Sequence, residues 1–79
     1  MSNVSQRAVK VIAAELRIPE SSVTPEATFD EDLGADSLAL TRLAAALETE
    51  FSCVILDDDA DVITTVGGMV GYIEGRLNT

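Results

Sequence analysis

The 79-residue sequence has no histidine and no tryptophan, a single cysteine, and only three aromatic rings, Phe29, Phe51 and Tyr72. Without histidine, a zinc site of Cys and His ligands is excluded, and the base that most often activates a serine or cysteine nucleophile is missing. The acids, the serines and Cys53 form no pattern that would supply a substitute. One cysteine permits no internal disulfide, so Cys53 reads as a reduced, half-buried thiol that behaves as a small hydrophobe. With so few rings, the core must be aliphatic side chains and alanine. Basic residues are also scarce: 5 Lys and Arg stand against 14 Asp and Glu, a net charge of -9. This balance argues against nucleic acid, whose phosphates demand Lys and Arg clusters, and favours basic protein partners reached by electrostatic steering. No apolar run could span a bilayer, and Met1 to Arg7 lacks the apolar stretch of a secretory signal, so the expected location is cytoplasmic.

A chain of this length makes one small domain, residues 1–79, able to bury a core but with little stability to spare. Apolar residues at Val4, Ala8, Val11, Ile12 and Leu16 line one face of a first helix, which Pro19 stops. Glu20 to Asp36 reads as a long loop pinned by Val23, Phe29 and Leu33, and a loop of that length tends to be functional. A second helix over Ala39 to Phe51 takes its stripe from Leu40, Leu43, Leu47 and Phe51. Ser52 to Leu56 reads as a buried connector. Asp57, Asp58, Asp59 and Asp61 are placed to cap and open a brief third helix, where the helix dipole favours acids. Thr64 or Thr65 then caps a last helix with a stripe of Val66, Met69, Val70, Ile73 and Leu77. The predicted fold is all-α, a small bundle of three main helices and one short one.

The stretch Leu33-Gly34-Ala35-Asp36-Ser37-Leu38 carries the strongest local signal. Gly34 permits a sharp turn, and Asp36 and Ser37 are both preferred N-cap types. The Ser37 hydroxyl is thus expected at a helix N-terminus, where open amides and partial positive charge favour an attached phosphate. Residue types alone leave a second reading open, in which Asp-Ser is a plain cap and the chain a noncatalytic acidic helical adaptor. Asp57, Asp59 and Asp61 match the first three ligand positions of an EF-hand, but Val62 stands where its glycine should be and Gly68 where its glutamate should be. A calcium loop is rejected on those grounds. The acids, Asp30, Glu31 and Asp32 included, read as a solvated face with at most weak divalent binding.

The run Glu31-Asp32-Leu33-Gly34-Ala35-Asp36-Ser37-Leu38, with Ala46-Leu47-Glu48 and Glu50-Phe51 behind it, closely resembles the acyl carrier proteins. The likeness continues through Ile63-Thr64-Thr65-Val66 and Tyr72-Ile73. It implies that Ser37 receives 4'-phosphopantetheine from coenzyme A by the action of a phosphopantetheinyl transferase, its oxygen attacking the inner phosphorus. It further implies that Asp36 and Leu38 flank the attachment point. The chain itself would be no enzyme. It would be a freestanding, monomeric carrier presenting acyl thioesters to acyl-transferring and ketosynthase-type enzymes of fatty acid, lipid or polyketide-type biosynthesis. A peptidyl or aminoacyl carrier is the neighbouring alternative, and the acidity and the Gly-Ala-Asp-Ser-Leu run favour acyl cargo.

The resemblance also locates a partner surface, Asp36, Leu38, Thr41, Arg42, Ala45 and Glu48. Carriers of this kind present acids two and five residues after the modified serine, where this chain has Ala39 and Arg42. Thr49 replaces a further common acid, Ala45 a larger apolar contact, and Leu40 a threonine beside the cargo cavity. A reversed charge is a route to partner discrimination, so these departures point to a carrier dedicated to a specialised pathway.

Gly67, Gly71 and Gly75 recur every four residues in the last helix, each costing up to about 1 kcal/mol relative to alanine. They are either glycines tolerated at a surface or a smooth strip that lets the helix move or another backbone approach. Hydrogen exchange checks the weakness: amides over 66–77 should exchange faster than those over 39–51, and equal protection would refute it.

Overall fold

Apolar spacing builds the helices where it predicts them. In the computed structural model, which describes residues 3–77, α1 is Asn3–Leu16, α2 Ser37–Phe51, α3 Asp57–Val62 and α4 Val66–Leu77, with a 3-10 turn at Glu20–Ser22. The fold is an all-α bundle of three longer helices and one short one, and α1 packs chiefly against α2 and secondarily against α4. Ala8, Ile12 and Ala13 of α1 meet Leu43, Leu47 and Phe51 of α2 and Val66, Met69 and Ile73 of α4 in one core. Ile12, Leu43, Leu47 and Ile73 are its largest fully buried side chains, each contributing about 1.5–3 kcal/mol by leaving water. Val23, Phe29 and Leu33 of the long loop are buried with them, as expected, and so are Ala27 and Ala35.

Two helices end on a left-handed residue that is not glycine. Arg17, at φ 57°, lets the Ile18 amide reach back to the Ala13 carbonyl at 3.0 Å, and Pro19 prevents any continuation. Ser52, at φ 52°, turns its own amide and that of Cys53 onto the Glu48 carbonyl. Arg7 clamps this end of α2 to α1: its Nε donates to Glu50 Oε2 at 2.8 Å, and its guanidinium lies 4.6 Å from the centre of the Phe51 ring.

The structure corrects four expectations. The loop over Glu20–Asp36 is less bare than expected, since it holds the 3-10 turn and an isolated antiparallel bridge between Thr28 and Thr65. The connector after α2 is only partly buried: extended backbone alternates its side chains, so Ile55 goes in while Val54 and Leu56 stay out. No acid caps α3, whose cap position is Leu56 with no side-chain bond, and Asp57, Asp58 and Asp59 sit inside its first turn. Leu77 is exposed, because the last turn of α4, from Gly75 on, has run past the core.

At the other end of α4, Thr65 is the cap, its Oγ1 accepting from the Gly68 amide at 3.1 Å. The three spaced glycines do not form one surface. Gly67 donates its amide to the Pro25 carbonyl at 2.9 Å, and a Cβ there would sit 3.0 Å from that oxygen. A Cβ at Gly71 or Gly75 would meet open space. Gly71→Ala and Gly75→Ala should therefore each raise stability, by up to about 1 kcal/mol, through helix propensity. Gly67→Ala should lower it, and urea midpoints at unchanged m-value check all three.

Candidate functional site

Ser37 is delivered by a loop strapped to the start of α4. The Phe29 amide donates to the Thr64 carbonyl, the Val66 amide to Ala27, and the Gly67 amide to Pro25, all at 2.9–3.0 Å. Next along the loop, the Thr28 amide donates to Asp32 Oδ2 at 2.9 Å, while the Asp32 amide donates to Thr28 Oγ1 at 3.1 Å. The turn closes at Gly34, whose φ of 71° lets its amide reach the Asp30 carbonyl and the Ala35 amide reach Phe29 at 2.8 Å. Phe29, Leu33 and Ala35 are buried beneath this turn and fix its height above the core.

The two cap candidates are now distinguished. Asp36, in extended backbone, is the N-cap of α2, with Oδ1 accepting from the Ala39 amide at 2.8 Å. Ser37 is the first helical residue, so α2 starts two residues earlier than its apolar stripe suggested. Its hydroxyl is exposed and hydrogen-bonds to no described residue, and the Ser37 and Leu38 amides likewise find no acceptor among the described residues. An exposed hydroxyl beside two open amides at a positive helix end fits a covalently attached phosphate ester. Among the described residues, no side chain is hydrogen-bonded to the Ser37 hydroxyl as an activating base would be.

Ser37 borders an open cleft of about 600 Å³ between α2, α3 and the start of α4. Its apolar lining includes Phe29, Leu40, Leu43, Ile63 and Met69, and its rim includes Asp30, Thr41, Asp57 and Asp61. Thr41, Ala45 and Glu48 border it too, whereas Leu38 and Arg42 do not. Leu38 is 59% exposed, immediately beyond Ser37. The Thr41 hydroxyl donates back to the Ser37 carbonyl at 3.0 Å. Glu48 is half-buried, and its Oε2 accepts from the Ile55 amide at 2.8 Å, tying the connector to α2.

A family model described as a phosphopantetheine attachment site matches residues 6–73. The chain belongs to that family. It is a member of the acyl carrier proteins, whose cofactor is covalently attached 4'-phosphopantetheine and which are generally non-catalytic. Interaction with a phosphopantetheinyl transferase and with acyl-processing enzymes follows from membership. No helix among the described residues is long and apolar enough to cross a membrane.

The carrier's α3 is the weakest wall of the cleft. None of its residues is fully buried, and it concentrates Asp57, Asp58, Asp59 and Asp61 in six residues. Tyr72 of α4 holds it, the phenol donating to Asp59 Oδ2 at 2.7 Å. Arg76, stacked 5.4 Å from the Tyr72 ring centre, donates to the Val54 carbonyl at 3.2 Å and so holds the connector. Cys53 lies in the same region, and burial, reinforced by the Glu48 carboxylate and opposed by Arg76, pushes its thiol pKa up. It stays protonated at neutral pH and should alkylate more slowly than a free thiol. Sequence reading did not single out Tyr72, Asp59 or Ile55 for the site, since their bonds span 13 and 7 residues with no local pattern. Tyr72→Phe removes one charge-assisted hydrogen bond, of roughly 1.5–3 kcal/mol. Exchange of the α3 amides should accelerate at least about tenfold while the amides of Leu43 and Leu47 hold their rates, read residue by residue by NMR.

Proposed function

We propose that Ser37 Oγ is the attachment point of the phosphopantetheine arm, and that the carrier uses it to deliver acyl groups to the enzymes of a specialised fatty acid, lipid or polyketide-type pathway. One observation carries this reading. Asp36 performs the capping, which leaves Ser37 a hydroxyl with no structural task at the one helix end where loop, charge and cleft converge. In the rival adaptor reading, Ser37 would itself be the cap.

The arm, when attached, supplies a flexible tether ending in a thiol that holds acyl groups as thioesters. The chain's own residues do the rest. The Ser37 and Leu38 amides and the α2 dipole offset the negative charge of the phosphodiester. Leu40, Leu43, Ile63 and Met69 offer an apolar wall to a cargo folded back from the helix end, with Leu40 narrowing the near side. Asp36, Leu38, Thr41, Arg42, Ala45 and Glu48 border the surface that partner enzymes approach, Glu48 chiefly by holding the connector in place.

The test is the intact mass of the chain after incubation with coenzyme A, magnesium and a broad-specificity phosphopantetheinyl transferase. The parent should gain one phosphopantetheine and Ser37→Ala none, and modification of Ser37→Ala would place the site elsewhere. Ser37→Ala should also leave stability within about 0.5 kcal/mol, whereas Asp36→Ala should cost about 1 kcal/mol through the lost cap. A full cap's worth of loss at Ser37 would favour the adaptor.

A further inference from the structure

The face of α2 next to Ser37 has a charge opposite to that of the rest of the molecule. Leu38, Arg42, Ala45 and Thr49 recur at helical spacing along it, and all four are exposed. The hydroxyls of Thr41 and Thr49 are each turned back onto a carbonyl one turn earlier, those of Ser37 and Ala45, at 3.0 and 3.1 Å. The stripe therefore offers little but apolar surface around one guanidinium.

The two acids of α2 do not answer that charge. Glu48 is committed to the Ile55 amide, and Glu50 to Arg7, whose Nη2 also donates to the Glu50 carbonyl. Arg42 makes no ion pair among the described residues, and residues three and four away on its helix are Ala39, Ala45, Leu38 and Ala46. In a chain of net charge -9, this exposed face of α2 thus carries a cation with no ion-pair partner among the described residues.

Resting on the reading of Ser37 as attachment point, we infer that this stripe docks acyl-processing enzymes whose contact surface sets a carboxylate against Arg42 and an apolar recess against Leu38. Charge acts at two ranges here. Out to a Debye length of about 8–10 Å, past which salt screens it, the net negative charge steers the chain toward any basic surface. Within contact, Arg42 is partly desolvated by whatever covers Leu38, and a Lys or Arg opposite it is repelled where an Asp or Glu is bound. The stripe therefore accepts acidic docking patches and rejects basic ones, although the whole molecule attracts the latter.

The experiment takes the loaded carrier, its Arg42→Ala and Arg42→Glu variants, and two forms of one ketosynthase: a parent with a docking patch of Lys and Arg, and a form with that patch changed to Glu. Equal activity of the two forms on a free acyl-pantetheine substrate establishes that the reversed enzyme is intact. The parent carrier should be used about three- to tenfold more efficiently by the acidic patch, with the difference in KM, and Arg42→Glu should invert that order. Arg42→Ala should lie between them. A preference for the basic patch by all three carriers, or no difference among them, would overturn the inference. Loading at Ser37 is read separately by mass. Should it fail, the attachment reading falls, and the charge preference is still decided by calorimetric binding of the unloaded chains to the same two surfaces, with the same order expected and the same results overturning it.

Discussion

Three backbone hydrogen bonds, from Phe29 to Thr64, Val66 to Ala27 and Gly67 to Pro25, hold the long loop across the first turn of α4. Each joins groups that neither a helix nor a sheet would otherwise satisfy, in a part of the chain rich in turn residues. With the strap in place, Phe29 enters the core, the turn at Gly34 closes over it, and Asp36 arrives at the point where α2 begins. Gly67 is part of the same device, since a Cβ there would be pressed to 3.0 Å from the Pro25 carbonyl oxygen. The position of Ser37 is thus set by contacts made by its loop and not by its own side chain.

That arrangement leaves a small domain with two kinds of charged group. Arg7, Glu48, Glu50, Asp36, Asp59 and Arg76 each hold a backbone or side-chain partner and stiffen the scaffold. Asp30 and Asp32 do the same within the loop, and the acids left over give the molecule its field, with Asp57, Asp58 and Asp61 crowded on α3. A wall that is crowded with like charge and held by one phenol can yield when something enters the cleft.

The helical period made most of the bundle legible in the sequence: Ile12, Leu43, Leu47, Phe51 and Ile73 are core residues by spacing alone and core residues in the structure. The resemblance to acyl carrier proteins, carried by Gly34 to Leu38, agrees with the family that matches. Other features were hidden for physical reasons. Asp36 and Ser37 are equally good caps by type, and only the backbone angles at Asp36 decide which side chain turns inward. Glu48 looks like one more surface acid until the chain doubles back and offers it the Ile55 amide. The alternation of Val54, Ile55 and Leu56 depends on which side of an extended segment the core lies, a fact of tertiary position. Bonds such as Arg7 to Glu50, 43 residues apart, leave no local trace at all.

The strap also imposes an order of events on synthesis. A chain grows from its N-terminus, so α1, the loop and α2 emerge while Thr64 to Gly67 are still unmade. Until those residues appear, the amide of Phe29 and the carbonyls of Pro25 and Ala27 have no partners, and the loop has nothing to close against. An enzyme that recognises the closed loop can therefore act only once α4 has been made, which makes the geometry at Ser37 a check that this helix has docked.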